Sequence, residues 1–549
     1  MKPGMRGSAI AAILIVFGAG VMTASRPDVQ TPSGATPPRL IVILVIDQFR
    51  GAYVTQYGHQ WSAGLKRVFD AGAVFPLSAY TYATTKTCPG HATISTGTAP
   101  ATHGMIDNQW YDRAERRTVV CSDDPSVTAV SFGAIEGREH HGPARVLTPT
   151  FADELRLQSP VPPRIVGLSL KPRSAILLAG RGAPGTMAVW TEPNGAWTTS
   201  TAYTSHPWPE VNEFIAANPI ATAYGRQWTR LLEPAAYRYD DVMRGEPTAN
   251  TFPHTIAGRS GKPDASFASA WHRSPLSDAY LGELAAALVT RLKLGQGPSM
   301  DLLGVSFSAL DLVGHSYGPR SHEVQDLLAQ LDQTIGRVLA ILDRHVGQDR
   351  YVLALTADHG VPDIPEQAAA LGMRAGRISM STLRRALEDA LVKELGPGPH
   401  VAAVSSPNLY FTPDTLAKVR AQPRVRQVVT SLLTSTAGVH RVIWAEDIAN
   451  PAAVDPILTA VHRSHVPSRS GDVVLVLEPY WIPQSSGTTH GSPYAYDQRV
   501  PLLFYGAGIT PGRYLTAAGP VDVAPTLAHL AGIAMARTDG RILTEALAR

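Results

Sequence analysis

Long apolar runs that end in an aspartate recur along this chain. "RLIVILVIDQFR" (Arg39–Arg50) is a continuous Leu/Ile/Val stretch before Asp47, which predicts a strand buried on both faces. "DLLGVSFSALD" (Asp301–Asp311) and "RYVLALTADHG" (Arg350–Gly360) repeat the form, one closing on Asp311 and the other on Asp358-His359. Between them Val324, Leu327, Leu328, Leu331, Ile335, Val338 and Leu339 recur at helical spacing, which predicts an amphipathic crossover. Near the end "GDVVLVLEP" and "VPLLFYG" read as strands, and "DVAPTLAHLAGI" as a closing helix with proline near its first turn. Strands and helices alternating in this way predict an α/β fold, with a mainly parallel central sheet sandwiched by helices.

Two stretches break the pattern and read as cap-like insertions, at about residues 163–300 and 365–470. The first holds "MAVWTEPNGAWTTS", a hairpin signal with Asn194-Gly195 at its turn. The N-terminus differs again. Lys2 and Arg6 precede "AIAAILIVFGAGVM" and the small residues "TAS", the layout of a secretory signal peptide over residues 1–25. The run is shorter than the ~20 residues of a spanning helix, so cleavage near Ser25 is expected rather than a permanent anchor. The Pro/Ser/Thr-rich residues 26–38 read as a tether, and residues 39–549 as the catalytic domain. No later stretch is long and apolar enough to span a membrane. A net charge of +3 over 549 residues, with no basic run interleaved with aromatics, gives no support to nucleic-acid binding. Cys88 and Cys121 are the only cysteines, and in an exported protein they permit one disulfide or two lone thiols.

The chemistry gathers at the strand ends. Asp47, Asp311, His315, Asp358, His359 and His490 all lie close to strand boundaries, and ligands of α/β sheets sit at the carboxyl ends of strands. Mixed carboxylates and imidazoles suit zinc, and six of them are enough for two ions that each keep an open position. "TKTCPGHATISTG" (Thr85–Gly97) is too polar for a core strand, and Pro89 and Gly90 would interrupt a helix interior, so a helix is expected from His91 onward. The crowding of hydroxyls is either a dense N-cap or the setting of a nucleophile. Near a dication and a helix N-terminus, a threonine hydroxyl becomes a competent one. Lys171 and Arg173 stand two apart in what reads as an extended segment, which places them on one face as a phosphate clamp with a bidentate guanidinium.

Seven segments in order carry a family resemblance: "VIDQFR", "TCPGHATISTG", "HGMIDNQWYDR", "LSLKPRSAILLAG", "DLVGHSYGP", "TADHG" and "THGSPYAYDQRVPLLFYG". Over nearly all of the mature chain it resembles the alkaline phosphatase superfamily and, within it, the periplasmic phosphate-irrepressible alkaline phosphatases. The resemblance implies that Thr87 is a nucleophile phosphorylated in passing. It implies one zinc held by Asp47, Asp358, His359 and Thr87, a second held by Asp311, His315 and His490, and phosphoryl oxygens contacted by Asn108, Lys171 and Arg173. A periplasmic monomer acting on small phosphate monoesters is the expected state, without nucleic-acid partners.

Three other readings compete. Sulfatases of the same superfamily use Cys or Ser in a C/S-x-P-x-R pattern, whereas Pro89 follows Cys88 directly and the arginine is missing. Nucleotide pyrophosphatase/phosphodiesterases share the threonine and the six metal ligands and are the alternative enzyme. A non-catalytic phosphate- or metal-binding protein would have no reason to fill every catalytic position.

Overall fold

The computed structural model describes residue 1 and residues 37–247, 251–448 and 455–548. The expected signal peptide, apart from residue 1, and nearly all of the expected tether lie outside the described residues.

Ten strands form the central sheet. In chain order they are β1 (Leu40–Ile46), β2 (Ala73–Val74), β3 (Ala129–Phe132), β4 (Ile165–Ser169), β5 (Thr186–Thr191), β6 (Trp197–Ser200), β7 (Asp301–Phe307), β8 (Tyr351–Thr356), β9 (Leu502–Gly506) and β10 (Gly512–Arg513). Their order across the sheet is β10-β2-β9-β8-β1-β7-β4-β5-β6-β3. The five strands β8-β1-β7-β4-β5 are parallel, while β9 pairs antiparallel with β8, and β6 with β5. Every residue of β1, β4, β7 and β8 is buried.

The unbroken apolar runs have a direct cause. Along β1, Leu40, Val42, Leu44 and Ile46 enter one core, while Ile41, Ile43 and Val45 enter another on the opposite face. Helices cover both faces, so neither set of alternate side chains meets water. Five helices matter for the site: α1 (Thr87–Thr96), α2 (Pro172–Ala179), α3 (Pro275–Arg291), α4 (Ala309–Tyr317) and α5 (His322–His345). The crossover α5 buries all seven of the residues whose spacing predicts it.

Two expectations need correction. Residues 163–300 are not one insertion, because β4, β5 and β6 are hydrogen-bonded into the central sheet and α3 packs against α5. The Asn194-Gly195 hairpin forms as expected, with Trp190 opposite Thr198, but it is the turn by which the parallel sheet acquires its antiparallel edge. Thr198, Thr199 and Ser200 of β6 are buried although polar, so the sequence pattern does not separate this strand from a cap. "GDVVLVLEP" does not join the central sheet. Val473–Leu477 lies in a four-stranded antiparallel sheet with Val401–Ser405, Asn408–Phe411 and Val439–Trp444, which carries the second unit past residue 470. This sheet has its own core, where Leu387, Leu391, Val429 and Leu433 meet Val473 and Leu475. An all-apolar strand fits either sheet, and only its partners decide.

The helix α1 starts at Thr87, four residues earlier than expected. Pro89 falls in its first turn, where a missing N–H loses no intrahelical bond, and Gly90 donates its N–H to the Lys86 carbonyl at 2.9 Å. All ten of its residues are buried. The dense-cap reading fails, because the N-cap is Lys86 and its side chain makes no capping hydrogen bond.

Candidate active site

The carboxyl ends of β1, β7 and β8, side by side in the sheet, bring the acids together. Asp47 follows β1, Asp311 lies in the first turn of α4 after β7, and Asp358 follows β8. His315 is one turn beyond Asp311 on α4, and its Nε2 lies 3.2 Å from Asp311 Oδ1. His359 Nε2 stands 3.4 Å from both Asp47 Oδ1 and Asp358 Oδ2. His490 arrives from the loop before β9, with Nε2 3.5 Å from Asp311 Oδ1 and its ring stacked on His359. Thr87 opens α1 with its Oγ1 3.5 Å from His359 Nε2. Residues more than 400 apart in sequence thus meet at one sheet edge.

The three histidines are oriented alike. Nδ1 of His315 donates to the Thr488 carbonyl at 2.8 Å, that of His359 to Gly360 at 3.0 Å, and that of His490 to Thr85 at 2.8 Å. A carbonyl only accepts, so each Nδ1 carries a proton and each ring turns its Nε2 toward the carboxylates. Although burial opposes charge on His315, Asp311 beside it outweighs burial and raises its pKa. Burial lowers His359 to about 3 and also lowers His490, keeping both neutral. Asp47 Oδ1 and Asp358 Oδ2 are buried without a hydrogen bond. Bare lone pairs facing orphaned carboxylate oxygens repel unless a cation stands between them, so these residues fit divalent ions. Ligand atoms of Asp47, Asp358 and His359 lie within 4.8 Å of one another, as do those of Asp311, His359 and His490. His359 therefore faces both groups, and His315 stands beside the second.

Burial pushes the Asp47 carboxyl up, aided by Asp311 and Asp358. Burial also opposes charge on Asp311, but His315 and Lys171 outweigh it and hold that carboxyl well below its usual range. His359 and His91 do the same for Asp358.

Lys171 and Arg173 do not share the face of an extended segment. Lys171 is the N-cap of α2, and Pro172, with its φ preset for the first helical position, starts the helix so that Arg173 lies in its first turn. Lys171 Nζ sits 2.5 Å from Asp47 Oδ2 and 2.5 Å from Asp311 Oδ2, between the two groups of ligands. Arg173 Nε is buried without a partner. Asn108 accepts the Cys88 N–H on Oδ1 at 2.8 Å, and Cys88 and Cys121 are joined by a disulfide.

Residue-by-residue reading of the sequence overlooks several supporting groups. Gln48 adopts a left-handed φ of 65°, donates its backbone N–H to Asp358 Oδ1 at 3.1 Å, and donates Nε2 to Asp311 Oδ1 at 2.7 Å. A side chain at Gly314 would collide with this amide, which accounts for the glycine within "DLVGH". Asp278 on α3 accepts the N–H groups of Ser308 and Ala309 and so holds the start of α4. Asp497 accepts those of Gly491 and Ser492, beside His490. The one available signal was an acid or amide adjoining a motif, which is common to many surface loops.

Residues 41–495 match the family described as type I phosphodiesterase / nucleotide pyrophosphatase. The chain is 30% identical to alkaline phosphatase PhoV of Synechococcus elongatus, over 94% of each chain. It is 32% identical to alkaline phosphatase PhoK of a Sphingomonas species, over 93% of this chain and 91% of that one. The crystal structure of wild-type alkaline phosphatase PafA, known from Elizabethkingia meningoseptica, superposes with a TM-score of 0.84 at 29% identity, covering 93% of this chain and 99% of the other. With the sheet, the two groups of buried ligands and these similarities in place, the chain belongs to the type I phosphodiesterase / nucleotide pyrophosphatase family of the alkaline phosphatase superfamily.

Proposed function

We propose that the protein is an exported phosphomonoesterase with two zinc ions, which hydrolyses phosphate monoesters to alcohol and inorganic phosphate through a phosphothreonine on Thr87. The observation that carries this reading is the placement of the Thr87 hydroxyl, at the N-terminus of a wholly buried helix and 3.5 Å from His359 Nε2 among the acids. One zinc is assigned to Asp47, Asp358, His359 and Thr87, and the other to Asp311, His315 and His490. When bound, the two ions supply the charge that lowers the pKa of a hydroxyl and stabilises a leaving oxygen. Thr87 Oγ1 gives up its proton to solvent and forms a bond to phosphorus as the ester P–O bond breaks, and the departing alkoxide takes a proton from solvent. Water then attacks the same phosphorus, breaks its bond to Thr87 and yields inorganic phosphate. The N–H groups and dipole at the start of α1 favour the phosphoryl charge at that point.

Asn108, Lys171 and Arg173 are assigned to the nonbridging oxygens. A variant of PafA whose structure is known replaces a threonine, an asparagine 21 positions later, and a lysine and an arginine two apart. Thr87 and Asn108 have the same interval, and Lys171 and Arg173 the same spacing. A monoester carries two negative charges over three such oxygens and a diester only one, so extra cations select monoesters. The family description favours a second reading, a phosphodiesterase, and one experiment separates them. Lys171→Ala/Arg173→Ala should lower monoester kcat/KM by orders of magnitude and diester kcat/KM far less. Equal losses, or a wild type that prefers diesters, would establish the second reading.

Export rests on the leader sequence, and the Cys88–Cys121 bond suits an oxidising compartment such as the periplasm. Among the described residues no helix is long and apolar enough to cross a membrane. The mature protein should begin just after Ser25 when its N-terminus is sequenced.

A further inference from the structure

We propose that the Cys88–Cys121 disulfide is a positioning device for Asn108, fixing which end of its side-chain amide is presented beside Thr87. This rests on the reading of Asn108 as a phosphoryl-binding group, and goes beyond it by naming what holds that group.

Both cysteines grip Asn108 through their backbones. Cys88, the second residue of α1, donates its N–H to Asn108 Oδ1 at 2.8 Å. Cys121 donates its N–H to the Asn108 carbonyl at 2.9 Å. Asn108 and Cys121 form the base of a β-hairpin whose strands are Gln109–Asp112 and Arg117–Val120. The disulfide therefore ties the base of this hairpin to the first turn of the nucleophile's helix, and Asn108 lies inside the closed loop. The bond sits in a small apolar cluster with Trp110, Val119 and Leu177; Leu177 belongs to α2, the helix that begins at Lys171.

The orientation of the amide follows from the donor. An N–H needs an acceptor, so the atom facing Cys88 is the oxygen, and Nδ2 is the end left to donate to a substrate oxygen. The first-turn N–H groups of a helix have no partner within the helix. Binding one of them to Asn108 spends the amide's acceptor there and removes the flipped rotamer, which would face a phosphoryl oxygen with another oxygen. A second tie, Asn108 N–H to Asp107 Oδ1 at 2.6 Å, fixes the backbone without choosing the amide's orientation.

The test compares Cys88→Ser/Cys121→Ser, Asn108→Ala and the triple variant, all loaded with zinc and checked for metal content. The readouts are kcat/KM for an aryl phosphate monoester and for a bis-aryl diester, and the inhibition constant of inorganic phosphate. The serine pair should retain its metal, lose about tenfold or more in monoester kcat/KM, and bind phosphate correspondingly more weakly, since small misplacements of a binding group are costly. Its diester kcat/KM should change less than about twofold. The triple variant should be no worse than Asn108→Ala, because both changes remove one interaction. Equal losses on both substrates, or a loss that multiplies with that of Asn108→Ala, would show a bond that only stabilises and would overturn the proposal. If the serine pair does not fold, Cys88→Ala/Cys121→Val replaces it with apolar groups; if neither folds, the bond is a requirement of the fold and the proposal also falls. Should Asn108→Ala alone keep full monoester activity, the underlying reading of Asn108 fails, a result independent of the cysteine variants.

Discussion

Gly90→Ala adds one methyl group where α1 meets the end of β8. A Cβ at this position would lie 2.3 Å from the Asp358 carbonyl oxygen and 2.6 Å from Asp358 Cβ. Carbon contacts are comfortable at about 3.5–4.0 Å, so helix and loop must part by about 1 Å. Neither side yields easily, since α1 is wholly buried and Asp358 is fully enclosed. Overpacking of this kind costs about 1–3 kcal/mol of stability. The catalytic loss should be greater in proportion, because the displacement separates Thr87, three residues earlier on the helix, from the ligands around Asp358. A misplacement of about 1 Å is worth about 100-fold in rate. The assay is kcat/KM on an aryl phosphate, with zinc content and thermal midpoint measured on the same sample. A variant with wild-type activity and wild-type metal content would refute the argument that close contact between α1 and Asp358 sets the distance from nucleophile to metal.

Thr87→Ala should retain fold and zinc and lose most activity, while Thr87→Ser retains a substantial part; near-wild-type turnover by the alanine variant would place the nucleophile elsewhere. A chelator should abolish activity and zinc restore it, and removing Asp311 or His490 should cost one ion of two by elemental analysis. Burial pushes Asp278 up to about 7, so the folded protein binds this proton more tightly than the unfolded chain does. Its contribution is therefore present below pH 4 and is lost as pH rises through 7, and wild-type stability should decline relative to Asp278→Asn over that range by up to about 4 kcal/mol, read from urea melts at several pH values.

The apolar runs before Asp47 and Asp358, and the one at Asp301–Phe307 before Asp311, were enough to imply buried parallel strands with acids at their ends, because a strand covered on both faces has no polar alternation to hide. The spacing of the crossover helix α5 was equally legible, since its period is set by one buried stripe. Pairing was not legible. Whether Val473–Leu477 joins the large sheet or the small one depends on which edge is open to it, and a local sequence carries no record of that edge. Lys171 and Arg173 show the same limit on a smaller scale: two basic residues in an extended reading became a helix cap and a first-turn residue once Pro172 set the backbone. The six candidate ligands could be read from sequence as a set sufficient for two ions. Their arrangement came from tertiary structure, in which three neighbouring strand ends and the His490 loop converge, carbonyls orient the imidazoles, and Gln48 joins two acids across residues hundreds of positions apart. Hydrogen bonds to backbone carbonyls have no side-chain signature, so only the folded chain reveals which way each histidine faces.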